Sequence, residues 1–289
     1  METADDAGLA AAYDAALAHV RDLDPDRYLA TLFAPAAAQP HLFALYAFSA
    51  DIARVRSLIH EPMPGEIRFQ WWRDLLNGAP HGAAEANPIA RALLATIEAC
   101  RLPKKPLLDL IEARTFDLYD DPMPTWLDCE GYCGETSSAL IRLACLCLSG
   151  GNDPGHAEAA GHAGVAYALT GLLRAFPWTS RRGQVFLPGE LLGAHGVDAG
   201  AIRAGTDSPG LRAALAETRA RAADHLAKTR ALISAIPAGI APAFFPVCLV
   251  EPYLAALSAH AGDPFRANVD IARLRKLWIF WRQSRRAGC

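Results

Sequence analysis

The sequence predicts an all-α protein folded as a single-domain helical bundle. Ala, the strongest helix former, dominates the composition. Alternating runs of β-branched residues, the mark of a strand, are hard to find. Pro, Gly, Asp and Asn fall at intervals that cut the chain into helix-length pieces with caps at their ends. The 289 residues, 52% of them hydrophobic, suffice for one large core. No repeat, low-complexity tract or linker divides residues 1–289.

Residues 5–22 form the first predicted helix. Asp24 and Pro25 then supply a cap and a first-turn residue for a short helix carrying Tyr28, Leu29 and Phe33. Gln39 and Pro40 open a long apolar helix to about residue 59, closed by Glu61-Pro62-Met63-Pro64. A helix over 64–76 ends at Asn77-Gly78, and a polar loop follows. Asn87-Pro88 starts a helix to about residue 100, and 103–119 gives the next. Residues 124–148 read as one long apolar helix, stopped by Ser149-Gly150-Gly151-Asn152. Within it, Ser137 and Ser138 are expected to bond back to carbonyls of their own helix. Asp153-Pro154 opens a helix to about residue 176, where Pro177 lacks an N–H and is expected to end it. Residues 177–188 then read as loop, 189–192 as a helical turn, and 209–236, 242–260 and 270–286 as the last helices.

Several function classes are excluded at this level. A net charge of −3 and a pI near 6.3 argue against nucleic acid as a partner. The seven cysteines, Cys100, Cys129, Cys133, Cys145, Cys147, Cys248 and Cys289, contain no Cys-x-x-Cys pair and no His at metal-finger spacing. Cys145 and Cys147 sit in an apolar stretch, which implies free thiols in a reducing, cytoplasmic compartment. The acidic N-terminus lacks the basic and apolar regions of a signal peptide. The longest uncharged run, 231–250, could span a bilayer by length. Pro237, Pro242, Pro246 and Gly239 interrupt it, so it is expected to be a broken, buried core helix. Gly193 and Gly196 follow no strand and form no dinucleotide loop. There is no Gly-x-Ser-x-Gly elbow, and the nine His are scattered, so no metal site and no catalytic residue is assigned.

Three segments, taken in order, carry more. The first runs from Tyr46 through Phe48, Asp51, Ala53, Arg54 and Arg56 to Ser57. The second is Phe69-Gln70-Trp71-Trp72-Arg73-Asp74. The third is Gly171-Leu172-Leu173-Arg174-Ala175-Phe176-Pro177-Trp178-Thr179, followed by Arg181-Arg182-Gly183-Gln184 and Phe186-Leu187-Pro188. Phe116-Asp117-Leu118 and Tyr132-Cys133 lie between them. Together, over about residues 25–260, they resemble the squalene/phytoene synthase family. In pattern they resemble in particular the branch that includes the mitochondrial respiratory complex I assembly factor and its bacterial relatives. Glu61 to Arg73 and Glu135-Thr136-Ser137-Ser138 contribute to that likeness. The resemblance implies an isoprenoid synthase fold with a central cavity.

It also implies where chemistry would reside. Active members ionise a prenyl diphosphate, whose charge Mg²⁺ must bridge to the protein through carboxylates. Acids at i and i+4 share one helix face, and two such helices form the clamp. Here the matching positions are Ala53 and Ser57 on the first helix and Ala175 and Thr179 on the second. Gln184 replaces an Arg, and Arg54 and Arg56 would repel the metal. Asp51, two residues displaced, is rotated by about 200° around the helix and faces away from the expected site. Both clamps read as dismantled, with Mg²⁺ expected only if catalysis survives by other means.

Three readings follow. A non-catalytic member would serve the assembly of a membrane complex or another isoprenoid-linked process, with a protein client. A prenyl transferase would use Asp117, Asp120, Asp121 and Glu135, with Arg54, Arg56, Arg174, Arg181 and Arg182 gripping diphosphate. A passive carrier would hold an isoprenoid or lipid ligand against Tyr46, Phe48, Phe69, Trp71, Trp72 and Tyr132, residues that serve equally as plain core. For Arg181 and Arg182 a solvated surface role is favoured. Arg174 is read either as a ligand contact or as the internal partner of an acid such as Asp117.

The C-terminal segment, about 270–286, is weighed apart. Between residues 266 and 289 there are seven cations, Arg266, Arg273, Arg275, Lys276, Arg282, Arg285 and Arg286, against the single acid Asp270. Leu274, Leu277, Trp278, Ile279, Phe280 and Trp281 are interleaved with them. Such a helix suits an anionic membrane surface, contacted between Arg273 and Arg286 at the inner membrane face. It equally suits packing of the Trp face on the bundle with the cations solvated.

Overall fold

Asp24 sets the first helix boundary by local chemistry: its carboxylate accepts from the Arg27 backbone N–H at 3.0 Å. It separates α1 (Glu2–Leu23) from α2 (Pro25–Thr31). The computed structural model describes residues 2–78, 86–233, 235–266 and 268–287. The predicted polar loop after Asn77-Gly78 and Cys289 lie outside the described residues. No strand occurs among the described residues, as the composition predicts.

The predicted helix from Gln39 divides into α3 (Gln39–Ala53) and α4 (Val55–Leu58). The break is at Arg54, whose carbonyl is taken by the backbone N–H of Ser57 at 2.9 Å and by its Oγ at 2.6 Å. That pairing three residues on displaces the α-helical one. α5 (Pro62–Leu76) begins at Pro62 and not at Pro64, since a proline's fixed φ suits a first turn. α6 (Pro88–Ala99) is capped by Asn87, whose Oδ1 accepts from Ile89 and Ala90 N–H at 3.0 and 3.3 Å. α7 (Lys105–Thr115) tightens into a 3₁₀ turn, Phe116–Leu118.

α8 (Trp126–Cys133) starts at a capping box between Thr125 and Asp128. It runs through a π-helical turn, Gly134–Ser138, into α9 (Ala139–Leu148), so the long predicted helix is continuous but bulged. The serines differ from expectation there. Ser138 Oγ donates across to the Gly161 carbonyl at 2.8 Å, while the buried Ser137 Oγ has no hydrogen-bond partner among the described residues. Thr136 makes the back-bond instead, to the Tyr132 carbonyl at 2.6 Å.

α10 (Ala157–Ser180) corrects the reading of Pro177 as a helix end. The proline forfeits one backbone bond near the C-terminus, whereas Leu173, Phe176 and Ser180 around it are buried. Ser180 Oγ also returns to the Phe176 carbonyl at 2.7 Å, holding the last turn. α11 (Gly189–Ala194) matches the predicted turn, and α12 (Ala199–Arg203), capped by Asp198, was not foreseen. α13 (Pro209–Ile233) packs along α10. The next predicted helix is instead a 3₁₀ run, Ala238–Leu249, passing into α14 (Val250–Ala259), and α15 (Arg273–Ala287) follows. The stretch Ala238–Ala259 is apolar and long enough to cross a membrane by length and composition, and 61% of its most apolar part is buried inside the fold.

α3 lies at the centre, with Leu42 through Ser49 all buried, and packs against α1, α6 and α9. α15 closes the structure against the 3₁₀ run and α2. Buried apolar side chains form one connected cluster from Ala12 to Phe280. A smaller polar junction joins α8, α10 and α13. There His225 Nδ1 lies 3.0 Å from His162 Nδ1, and its Nε2 is 3.3 Å from Glu130, which also pairs with Arg221.

Two outcomes follow from this packing. A Cβ on Gly164 would meet the backbone and Oγ of Ser138, so Gly164→Ala should cost about 1–3 kcal/mol in urea unfolding through overpacking. Burial lowers the His225 pKa below its ordinary 6.5 despite the opposing Glu130 charge. As pH falls below that value the unfolded chain takes a proton that the native chain refuses, so stability falls until the folded value is passed. His225→Gln should flatten part of this loss in urea midpoints measured between about pH 8 and pH 5. His19 and His41, also lowered by burial, retain their share.

Candidate functional site

The first motif segment ends α3. Ala53 is exposed and carries no ligand atom, and the Ser57 hydroxyl is spent on the Arg54 carbonyl. Asp51 is buried beside it and accepts from Arg68 Nη2 at 3.1 and 3.2 Å and from Trp72 Nε1 at 3.3 Å. Arg54 folds back along its own helix, with Nε 3.6 Å from Asp51, and His19 Nε2 lies 3.9 Å away. Arg54 is therefore engaged with the helix that carries it. Phe48 and Trp72 are fully buried and meet edge to face at 5.0 Å, and Trp71 crosses Trp72 at the same spacing. Tyr46 is buried and faces the Arg27 guanidinium at 5.3 Å, with Tyr167 on that cation at 5.0 Å. Arg27 also pairs with Asp24 at 2.9 Å.

On the second segment, Ala175 offers only a methyl. The Thr179 hydroxyl reaches back to the Ala175 and Phe176 carbonyls at 3.3 and 3.4 Å. Arg174 does not pair with Asp117, as the sequence suggested. Its Nη1 donates to Asp26 at 3.2 Å, its Nη2 lies 3.7 Å from Asp270, and its guanidinium sits 3.6 Å from the centre of the Tyr253 ring. Sequence spacing carries no signal for that choice, because Asp26 is distant in the chain. Lys276, itself buried, bridges Asp26 and Asp270 at 2.7 Å each, and Tyr253 donates to both, at 2.8 and 3.0 Å. Burial raises the Asp270 carboxyl, but hydrogen bonds from Lys276, the Ile271 N–H and Tyr253 bring it below its ordinary value.

Asp117 belongs to a separate buried group. It accepts from Arg114 Nη1 at 2.9 Å and from the Tyr132 hydroxyl at 2.8 Å, and Arg114 Nη1 also donates to Tyr132 at 2.6 Å. Burial pushes the Asp117 carboxyl above its ordinary value, outweighing Arg114 and Tyr132, and pushes Tyr132 well up. Arg114 is held charged by Tyr132 and Asp117 against its own burial. Sequence reasoning missed Arg114, although its i,i+3 spacing from Asp117 offered a signal. Gln184 Nε2 caps the group by donating to the Asp117 carbonyl at 3.0 Å. Phe116, Tyr132 and Phe186 surround it with ring separations of 6.1, 6.2 and 5.9 Å.

The loops over this interior are tied down. Arg182 donates to the Ser57 carbonyl at 3.1 Å and Arg181 to the Phe265 carbonyl at 3.1 Å, so both do more than face solvent. Arg203 bonds the Gly183 and Asp120 carbonyls, and Arg56 reaches Asp120 and the Ile59 carbonyl at 3.3 Å each. The apolar cavity beside Thr179, lined by Cys129, Leu172, Phe176, Phe186 and Leu187, holds about 10 Å³. That is at most the space of one water. Among the described residues no group of three or more His, Cys, Asp or Glu is placed to hold a metal ion. Neither Ala53 and Ser57 nor Ala175 and Thr179 offer a carboxylate, so the residues present do not fit a Mg²⁺–diphosphate clamp.

The family model for squalene/phytoene synthase matches residues 20–277. The chain is 30% identical over 251 residues to the rat protein named NADH dehydrogenase (ubiquinone) complex I, assembly factor 6, covering 87% of this chain and 75% of that one. It is 29% identical over 199 residues to the phytoene synthase of Thermus thermophilus, covering 68% and 65%. A crystal structure of a dehydrosqualene synthase in complex with ligand superposes with a TM-score of 0.80 at 16% identity, covering 97% of this chain and 98% of that one. At that identity the match shows the all-α isoprenoid synthase fold.

The buried Arg114–Asp117–Tyr132 group makes a graded prediction. Arg114→Leu strips the cation from a buried carboxylate and should cost about 3–5 kcal/mol in urea unfolding. Tyr132→Phe removes only hydrogen bonds and should cost about 1–3 kcal/mol. Equal, small costs for both would show that the group is not a structural pair.

Proposed function

The chain belongs to the squalene/phytoene synthase family, and from that premise we propose that it is a non-catalytic member serving the assembly of respiratory complex I. The observation that carries this reading is the donor set at the clamp: Ala53, Ser57, Ala175 and Thr179 present two methyls and two hydroxyls already bonded to their own helices. Diphosphate ionisation needs Mg²⁺ held by carboxylates, and hydroxyls spent on backbone carbonyls do not replace them. The close packing beside Thr179 supports the same reading. A ligand pocket of ordinary size holds about 300–1,000 Å³, whereas the cavity beside Thr179 holds about 10 Å³. The likeness to complex I assembly factor 6 supplies the class of client, a protein of a membrane-bound respiratory complex.

Two measurements test the proposal. Calorimetric titration with farnesyl diphosphate, with and without Mg²⁺, should show no metal-dependent binding, and the same samples should contain no condensed hydrocarbon. A condensed product would return the chain to the prenyl transferases. Deletion of the chain from its host should lower the amount of assembled complex I in isolated membranes, restored by the wild-type chain and by Thr179→Val alike. Unchanged complex I after deletion would overturn the assembly role.

A further inference from the structure

α15 is built with two apolar faces, and the bundle uses one of them. Lys276, Leu277 and Phe280 turn inward: Lys276 is bridged to Asp26 and Asp270, and Phe280 is fully buried against Phe33 and Phe245 at 6.1 and 6.4 Å. Leu274, Trp278 and Trp281 stand outward, 80, 54 and 53% exposed. At about 100° per residue these three fall within a sector of about 60°, one continuous stripe along the helix. Exposing one Trp is ordinary, but two with a Leu in register on one short helix is a surface with an occupant.

The charges beside the stripe say which occupant. Arg275, Arg282 and Arg286 lie along one flank of it, Arg273 on the other and Arg285 at its C-terminal end. Arg282 stacks over Trp278 at 4.8 Å. None of these five arginines pairs with a carboxylate among the described residues, and α15 itself contains no acid. The cation that does pair, Lys276, is the one that faces inward. Aromatic rings that seek the headgroup region, beside unneutralised guanidiniums, complement an anionic lipid surface.

We propose that α15 docks the protein on an anionic bilayer, with Leu274, Trp278 and Trp281 entering the headgroup boundary and the arginines on lipid phosphates. The helix lies along the surface: its 15 residues span about 22 Å, short of the roughly 30 Å of a hydrocarbon core. The inward face stays latched to the bundle by Lys276 and Phe280, so the whole protein is held against the membrane.

The full chain is tested on vesicles of phosphatidylcholine, alone or mixed with phosphatidylglycerol. Co-sedimentation and a blue shift of tryptophan emission are expected only with the anionic lipid, weakening as salt is raised. Arg282→Gln, Arg285→Gln and Arg286→Gln should each weaken binding about fivefold, corresponding to about 1 kcal/mol per cation near an anionic surface. Trp278→Ala with Trp281→Ala should abolish the blue shift, while thermal unfolding stays that of the wild type because both rings are outside the core. Equal binding to neutral vesicles overturns the proposal, and so does wild-type binding by these variants. Absence of binding by the folded chain overturns it as well and assigns the stripe to a protein surface. Farnesyl diphosphate binding and complex I levels read the clamp and the client, so they succeed or fail independently of these vesicles.

Discussion

Asp26 is the carboxylate on which the closure of this bundle depends. It sits in the first turn of α2 and is almost wholly buried. It gathers Arg174 from α10, the Tyr253 hydroxyl from α14 and Lys276 from α15. Elements from the beginning, middle and end of the chain thus converge on one pair of oxygens. Burying such charges costs several kcal/mol per ion, and mutual attraction offsets this only where the geometry is good and the remaining valences are filled. Here Asp270 supplies the second carboxylate that Arg174 and Lys276 need, and the Tyr253 ring lies under the Arg174 guanidinium. The directional contacts of Lys276 with Asp26 and Asp270 tie α15 to α2.

The same logic explains how the interior closes. Cations occupy positions beside the clamp, and each is led to a local partner: Arg54 to Asp51, Arg56 to Asp120, Arg182 to the Ser57 carbonyl. The buried Arg114–Asp117–Tyr132 group fills the floor, and Phe116 and Phe186 pack around it. A site for a multiply charged diphosphate needs unneutralised cations or metal-holding acids facing open space. Here Arg54 and Arg56 lie beside carboxylates, Arg182 is held by a carbonyl, and the space beside Thr179 is about 10 Å³.

The parts of this structure that were legible in the sequence are those set by neighbours in the chain. Asp24 and Asn87 cap the helices they precede, and the helical pattern is read without coordinates. Three of the misreadings, at Pro177, Ser138 and Arg174, are tertiary. Pro177 should have ended a helix, but burial of Leu173 and Phe176 outweighs one lost bond. Ser138 should have bonded to its own helix, but Gly164 lets α10 approach closely and Gly161 offers a carbonyl. Arg174 pairs with Asp26, distant in the chain, while Asp117 is held by Arg114, three residues before it. Local propensity is a weak prior wherever two helices meet.

α15 packs on the bundle through Lys276 and Phe280, and its Trp face stays outside, against the reading in which that face packs inward. The buried face holds a lysine, which could be left out of water only because Asp26 and Asp270 were there to receive it. Phe280 then anchors the turn that follows. With the inward face fixed, the positions one third of a turn away have no freedom to rotate inward, so Trp278 and Trp281 remain outside whether or not a partner is present. Their exposure therefore follows from the packing of the inward face. An exposed aromatic stripe carries an aggregation hazard, and the arginines along it, with no carboxylate partner among the described residues, oppose self-association by like-charge repulsion. The charge that opposes association of like copies is of the sign that an anionic surface would attract.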